Sequence, residues 1–535
     1  MPRPFHRPPR RAARAPQPPR PGRVALGTAL AVLAMLTAGC VSYHAQPLAR
    51  QASFTTAAGL TRLTIDPAAM PLPELAAHRF DPSDGFDIDE VAMLAVANNP
   101  DLRLARDDAG IARAQAFSAG LLPDPQISVS SDYPGQIGLA RAFSYGLAMD
   151  VMAIVTRGAN RAAADAGARK TDLALLWQEW QVVAQARQLF VKARFQDAML
   201  PLLDAQRGLA RERYDRTLRA SLRHDTTDDL VTAAQTAYSD ANRQDGDLRH
   251  AREQTRHDLN LLLGLAPDVE LTLTGGDAVA PLSDAALDAA VAALPARRPD
   301  LIALQAGYAA QEQKLRAAVL NQFPSLSVGL TRARDTSEIY TTGFQLNLSL
   351  PIFNRNRGNI AIETATRQRL ADEYAARLNA AYADIAHLRA DGALSAAQLA
   401  RAEAALPALD AAGQHARDAY ATHDITLVQM TDAASAALTR RIDVATQREA
   451  LAEQRIGLQA LLGGAIPDAF PASGNGPASA TAQATASMLA SSSASAAGNA
   501  TTSSNPSATP RPIAPAAASH PFTTTSDAHP SPASR

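Results

Sequence analysis

The chain has a single cysteine, Cys40, in 535 residues. No disulfide can close within it, and no cysteine-built metal cluster can form. Aromatic residues make up only 5%, against 47% hydrophobic residues in all. Beyond residue 36 no apolar run exceeds 13 residues, short of the ~20 that a spanning helix needs. Any passage through a membrane therefore falls to strands, because lipid accepts only helices or closed barrels. No G-x-S-x-G, Walker or H-E-x-x-H pattern is present, so neither an enzyme nor a cofactor site is read here. Net charge is −1, and without the seven arginines of residues 1–23 the chain has 44 basic against 52 acidic side chains. That balance argues against nucleic acid as a partner.

What is present begins with those arginines, followed by the 13-residue apolar run Val24–Leu36. Residues 1–39 read as a secretory signal. Its end, Leu36-Thr37-Ala38-Gly39-Cys40, resembles a bacterial lipobox with Thr37 in place of the usual aliphatic residue. The resemblance implies acylation of Cys40 and a tether to outer-membrane lipid. Residues 40–84, with Pro47, Pro67, Pro71, Pro73 and Pro82, are expected to lie extended along the body. Residues 472–535 are Ser-, Ala-, Thr- and Pro-rich with only Arg511, Asp527 and Arg535 charged, and are expected to be disordered.

Between these ends the sequence repeats. Pro100-Asp101-Leu102 returns as Pro299-Asp300-Leu301, Pro125 as Pro324, His224-Asp225 as His423-Asp424 and Gly264 as Gly463, all at an offset of 199. A constant offset implies a duplicated unit. The two copies, residues 85–268 and 283–468, each read as helix, strand, strand, long helix, tip, helix. Strands are expected near 126–133, 143–152, 325–331 and 340–350. In the last, Phe344, Leu346, Leu348 and Leu350 alternate with Gln345, Asn347 and Ser349, which gives one apolar and one polar face. Four such strands cannot close a membrane barrel, which starts at about eight. Open edges are forbidden in lipid, so several chains must share one barrel.

The long helices are expected over Arg157–Arg219 and Gly358–Ala421, each ~90 Å. Val191, Phe195, Ala198, Leu202, Ala205 and Leu209 form one coiled-coil seam, and Leu378, Ala381, Ile385 and Leu388 another. Pro201 and Pro407 are expected to kink or interrupt them. Trp177 and Trp180 read as core or as residues near the membrane-facing end.

The stretch LPIFNRNRGNIA at 350–361 resembles the strand-to-helix corner of the TolC-type outer-membrane efflux factors. The resemblance implies a mainly α fold: a long antiparallel α-helical coiled-coil barrel plus four amphipathic strands per chain, twelve in a homotrimer. It implies a passive duct of a tripartite efflux system, working with a periplasmic adaptor and an inner-membrane pump. It assigns Leu350, Pro351, Phe353, Asn354, Arg357 and Gly358 to the barrel-to-tunnel corner. It assigns His224, Asp225, Thr227, Asp228, Asp229, His423, Asp424 and Thr426 to the periplasmic tips that gate the tunnel and meet the adaptor, with histidine where the family commonly has glycine. The His-Asp pairs read as solvated turns and not as a metal site, and Thr227 and Thr426 as helix caps. Asp225, Asp228, Asp229 and Asp424 would form a cation-attracting ring around a trimer. Two other readings compete: an adaptor or scaffold lipoprotein without a pore, and a type I protein-secretion duct.

Overall fold

The computed structural model describes residues 43–60, 62–135, 138–276 and 280–463. The signal segment, Cys40 and the C-terminal tail lie outside them. The body is mainly helical with one small antiparallel sheet. Helix α1 (Ile88–Asn98) starts at a capping box in which Asp87 and Glu90 exchange side-chain and backbone bonds. The Asn99 side chain then accepts from Leu102 N to cap α2 (Pro100–Ala119), with Pro100 in the first turn where no N–H is needed. Strands β1 (Gln126–Asp132) and β2 (Ala142–Asp150) follow, then the 71-residue α3 (Val151–Ser221) and α4 (Asp228–Leu262). The second half runs α5 (Asp284–Ala292), α6 (Pro299–Leu320), β3 (Ser325–Arg334), β4 (Tyr340–Ser349), the 65-residue α7 (Arg357–Ala421) and α8 (Leu427–Leu462).

The two hairpins join into one four-stranded sheet in the order β1-β2-β3-β4, each pair antiparallel. Register aligns the alternation across all four strands. Ile127 faces Leu147, Leu147 faces Leu330, and Leu330 faces Phe344. On the other side Ser128, Gly146, Thr331 and Gly343 make a matching row of small residues. A slip of one residue would move every apolar side chain to the wrong face. Among the described residues nothing covers the apolar face: Ile127 is 77%, Phe344 66% and Leu346 56% exposed. At the hairpin end it finishes in aromatic and cationic side chains: Phe143 packs on Tyr145 and Tyr340, and Arg334 lies over both Phe143 and Tyr340. Among the described residues no helix is long and apolar enough to cross a membrane.

The main core lies where the helices of the first half converge. Val91 and Leu94 of α1, Phe190 and Val191 of α3, and Leu259 and Leu263 at the end of α4 meet there with Ile456 of α8. The N-terminal segment is bound to this region by backbone bridges from Thr55 to Leu265 and from Phe86 to Leu273. The second coiled-coil seam is found in place, with Ala381 and Ile385 buried. The first holds at buried Val191 and half-buried Phe195 and is lost beyond them. Along α3 the buried residues run Leu173, Leu176, Trp180, Val183, Ala186, Phe190, and further on Leu203 replaces Leu202, while Ala198 and Ala205 are exposed. A straight helix drifts ~20° per heptad against a 3.5-residue repeat, so a seam extrapolated over two heptads rotates off the contact. Both long helices pass through Pro201 and Pro407 without a break. The lost N–H bond at each is offset by packing along the rest of the helix.

Candidate functional site: sheet-to-helix corners and helical tips

The corners are where strands hand over to the long helices, and the two are built differently. After β2 the chain enters α3 with no intervening loop. Asp150, the only charged residue on the strand, is the N-cap, with its carboxylate accepting from Met152 N at 2.8 Å and Ala153 N at 3.2 Å. The helix therefore starts at Val151 and not near Arg157. Arg157 instead reaches back, its Nε donating to Gly120 O at 2.9 Å at the end of α2.

After β4 the chain makes a true corner. Arg355 N donates to Pro351 O at 3.0 Å and Arg357 N to Asn354 O at 3.1 Å. Arg355 and Asn356 both adopt left-handed conformations, φ 45° and 53°. Asn356, the residue 199 positions beyond Arg157, donates from Nδ2 to Ala318 O at 2.7 Å, so the end of α6 holds this corner as the end of α2 holds the other. Of the residues the sequence singled out, Leu350 is 58% and Phe353 90% exposed. The Arg357 guanidinium reaches Phe353 O at 3.5 Å. Gly358 has open space where a Cβ would stand, so nothing within one chain requires glycine there. Asn356 and Asp150 were not among the residues singled out. The signals were present: asparagine is enriched several-fold at positive φ, and an aspartate directly before a helical run marks an N-cap.

The tips stand at the far ends of α3 and α7, about 100 Å along the helices from the corners at 1.5 Å per residue. Corner and tip are thus two sites. Both tips end their helix in the same closed turn. His224 N donates to Ser221 O at 2.8 Å and Asp225 N to Ala220 O at 2.9 Å; His423 N donates to Tyr420 O at 3.1 Å and Asp424 N to Ala419 O at 2.8 Å. This is the Schellman arrangement, which puts its C′ residue in the left-handed region, and the two histidines have φ 60° and 68°. They occupy the glycine position of the motif. Thr426 caps α8 reciprocally with Gln429. Thr227 departs from the expectation: it heads α4 without a side-chain cap bond. Its hydroxyl instead serves Asp229, holding that carboxyl below its ordinary range.

The other tip acids are also engaged. Asp225 pairs with Arg223 at 3.1 Å, Asp228 accepts from Ser221 Oγ at 2.9 Å and Asp424 accepts from Thr422 Oγ1 at 2.5 Å. Among the described residues no three His, Cys, Asp or Glu side chains are placed to hold a metal ion. What the sequence could not show is that the two hairpins are tied together. Arg216 Nη1 donates to Tyr420 Oη at 2.5 Å and Arg213 Nη1 to Asp432 Oδ1 at 2.5 Å. Beside these bonds is a cleft of about 190 Å³ lined by Leu230, Leu427 and Val428.

Residues 291–464 match the family described as outer membrane efflux protein, and the TolC-type resemblance of the corner sequence is thereby borne out. No curated protein matches the chain. Among solved structures the fold is similar to that of CusC, with TM-score 0.60 and 21% identity over 74% of this chain and 97% of that one. It is also similar to that of the outer-membrane channel OprN, with TM-score 0.61 and 17% identity over 79% and 99%. The CmeC outer membrane channel of Campylobacter jejuni gives TM-score 0.60 and 16% identity over 79% and 94%.

Proposed function

We propose that the chain is one protomer of a passive outer-membrane duct in which three copies pool their strands into a twelve-stranded barrel, within the range of ~8 to 26 found for such barrels. The observation that supports this reading is the aligned apolar face of the sheet. β3 and β4 have 10 residues each, the ~9–11 that a tilted strand needs to cross the hydrocarbon. Among the described residues no helix covers that face, and β1 and β4 leave two open edges. Exposed apolar strands with open edges would aggregate in water, whereas sister chains and lipid satisfy both demands.

The remaining assignments follow from this reading. Cys40, outside the described residues, bears the lipid. Residues 350–358 turn the barrel into the helical tunnel, which extends into the periplasm. The tips meet an adaptor and, through it, an inner-membrane pump that supplies energy and selects substrate. The Arg216–Tyr420 and Arg213–Asp432 bonds hold the hairpins together in the closed tip, and the Asp225, Asp228, Asp229 and Asp424 carboxylates draw cations to its mouth. The duplication at offset 199 accounts for two hairpins and two tips from one unit.

Planar-bilayer reconstitution of the purified protein tests the proposal. Discrete conductance steps are expected, rising in open probability when Arg216→Ala and Tyr420→Phe unlock the tips. A protein that inserts no conducting unit, or that purifies as a water-soluble monomer after removal of its lipid, would falsify the duct and leave the scaffold reading.

A further inference from the structure

The offset of 199 pairs each junction between helices with a counterpart. α2 meets α3 through Arg113–Asp172 at 2.7 Å and Arg106–Glu179 at 2.9 Å. The positions 199 residues on from Arg113 and Arg106 are Glu312 and Gln305 of α6. They meet α7 in the same way, at Arg367 and Tyr374, 3.4 and 3.2 Å away. This junction therefore occurs twice in one chain.

The junction of α6 with α3 occurs once. Ala303, Gly307 and Ala310 are spaced 4 and 3, so they share one face of α6. A Cβ at Gly307 would stand 3.1 Å from the Lys170 side chain of α3, which places that face on α3. Ala303 and Ala310 are buried, and so is Ala163, two turns before Lys170. Two turns beyond Lys170, Arg298 lies over the Trp177 ring at 4.8 Å. By the offset, the counterpart of this junction joins α2 to α7. Among the described residues of one chain those two helices form no comparable junction.

The counterpart positions are nonetheless built for contact. Ala303, Ala310 and Ala163 become Leu104, Ile111 and Ile362, which are 64%, 56% and 61% exposed. Gly307 and Lys170 become Asp108 and Arg369, of opposite charge. Asp108 is exposed between Leu104 and Ile111 on one face of α2, turned away from the α3 contacts of Arg106 and Arg113. Arg369 is exposed two turns beyond Ile362 and pairs with Glu373 of its own helix at 3.3 Å. Single exposed apolar side chains are ordinary. Three that coincide with the buried positions of a junction, beside complementary charges, mark two halves of a second one.

We propose that α7 of one copy packs on α2 of the next in the antiparallel register of α3 on α6, with Arg369 paired to Asp108 and Ile362 against Ile111. The inference rests on the duct reading, which places copies side by side, and goes beyond it by fixing which helix faces meet and in what register. Leucine and isoleucine in place of alanine set α7 and α2 further apart than α6 and α3, since interaxial distance follows the side chains at the contact.

Oxidative cross-linking of the full-length protein in outer membranes tests the register. Co-expressed chains bearing Asp108→Cys and Arg369→Cys are expected to give a covalent dimer on non-reducing gels. Gly110→Cys, in open space and about 200° round α2 from Asp108, is expected to give none with Arg369→Cys, and Cys40 is common to both arms. Asp108→Arg should lower the temperature at which the assembly in detergent dissociates, and adding Arg369→Asp should restore it. Three chains by native mass spectrometry without the Asp108–Arg369 cross-link would overturn this register and leave the duct standing; single chains would overturn both. A dimer formed equally well from Gly110→Cys, or a charge swap that restores nothing, would also overturn the pairing.

Discussion

Single residues here answer to backbone geometry more than to contacts. His224 and His423 sit at positive φ in the C′ position of two identical turns, where an L side chain costs ~1–2 kcal/mol and glycine nothing beyond its entropy of ~0.5–1. His224→Gly and His423→Gly should each stabilise the protein by about 0.5–1 kcal/mol, read as a rise in unfolding midpoint. Asn356→Ala should do the reverse. It removes both the residue that tolerates φ 53° and the 2.7 Å bond to Ala318 O, a loss of about 2 kcal/mol.

Glu449 and Glu453, on α8, give a pH signature. Burial pushes both carboxyls up; Glu453 pushes Glu449 further up, and Lys192 pulls both back. A carboxyl raised in the folded state contributes stability that is present below its unfolded value and lost as pH rises through the folded one. Glu449→Gln should therefore raise the unfolding midpoint at neutral pH and make no difference below the ordinary glutamate range. A midpoint gain that persists in acid would refute the burial account.

At the scale of elements, the sheet and the tips make separate predictions. Leu346, on the aligned apolar face, and Ser144, on the small polar face, lie in the same sheet. Leu346→Arg should cost about 2–4 kcal/mol if that face meets lipid at mid-depth and should block assembly into outer membranes, measured by fractionation. Ser144→Thr should be tolerated. Strand alternation was legible because a period of two is written within ten residues and needs no knowledge of neighbours. The corner's position was legible from the LPIFNRNRGNIA stretch at 350–361, although Asn356, which pins it, was not singled out. The seam of α3 was not legible at its far end, because helix and heptad periods drift apart. The Arg216–Tyr420 tie could not be read at all: its partners are 204 positions apart, and nothing local marks either one. Arg216→Ala should leave the folding midpoint within about 0.5 kcal/mol, as surface changes usually do, while raising bilayer conductance. A conductance equal to wild type would show that this bond holds no gate.

For the whole molecule, the decisive quantity is uncovered apolar surface. In a chain that leaves ten-residue apolar strands exposed on one face with two free edges, the duct proposed above completes the sheet with other copies. Native mass spectrometry of the detergent-solubilised protein should give three chains. Deleting residues 126–150 should abolish that assembly, because four strands cannot spare two. The sequence by itself determined the alternating strands and the two long helices, since each rests on patterns within a few turns or a few residues, and the matched order of elements, which the offset of 199 repeats. Only the tertiary structure decided that the two strand hairpins share one sheet in one register and that the two helical tips are tied to each other. It also decided which stretch of α3 is buried. Those outcomes depend on contacts between residues far apart in the chain, where packing and desolvation choose among partners that no local pattern names.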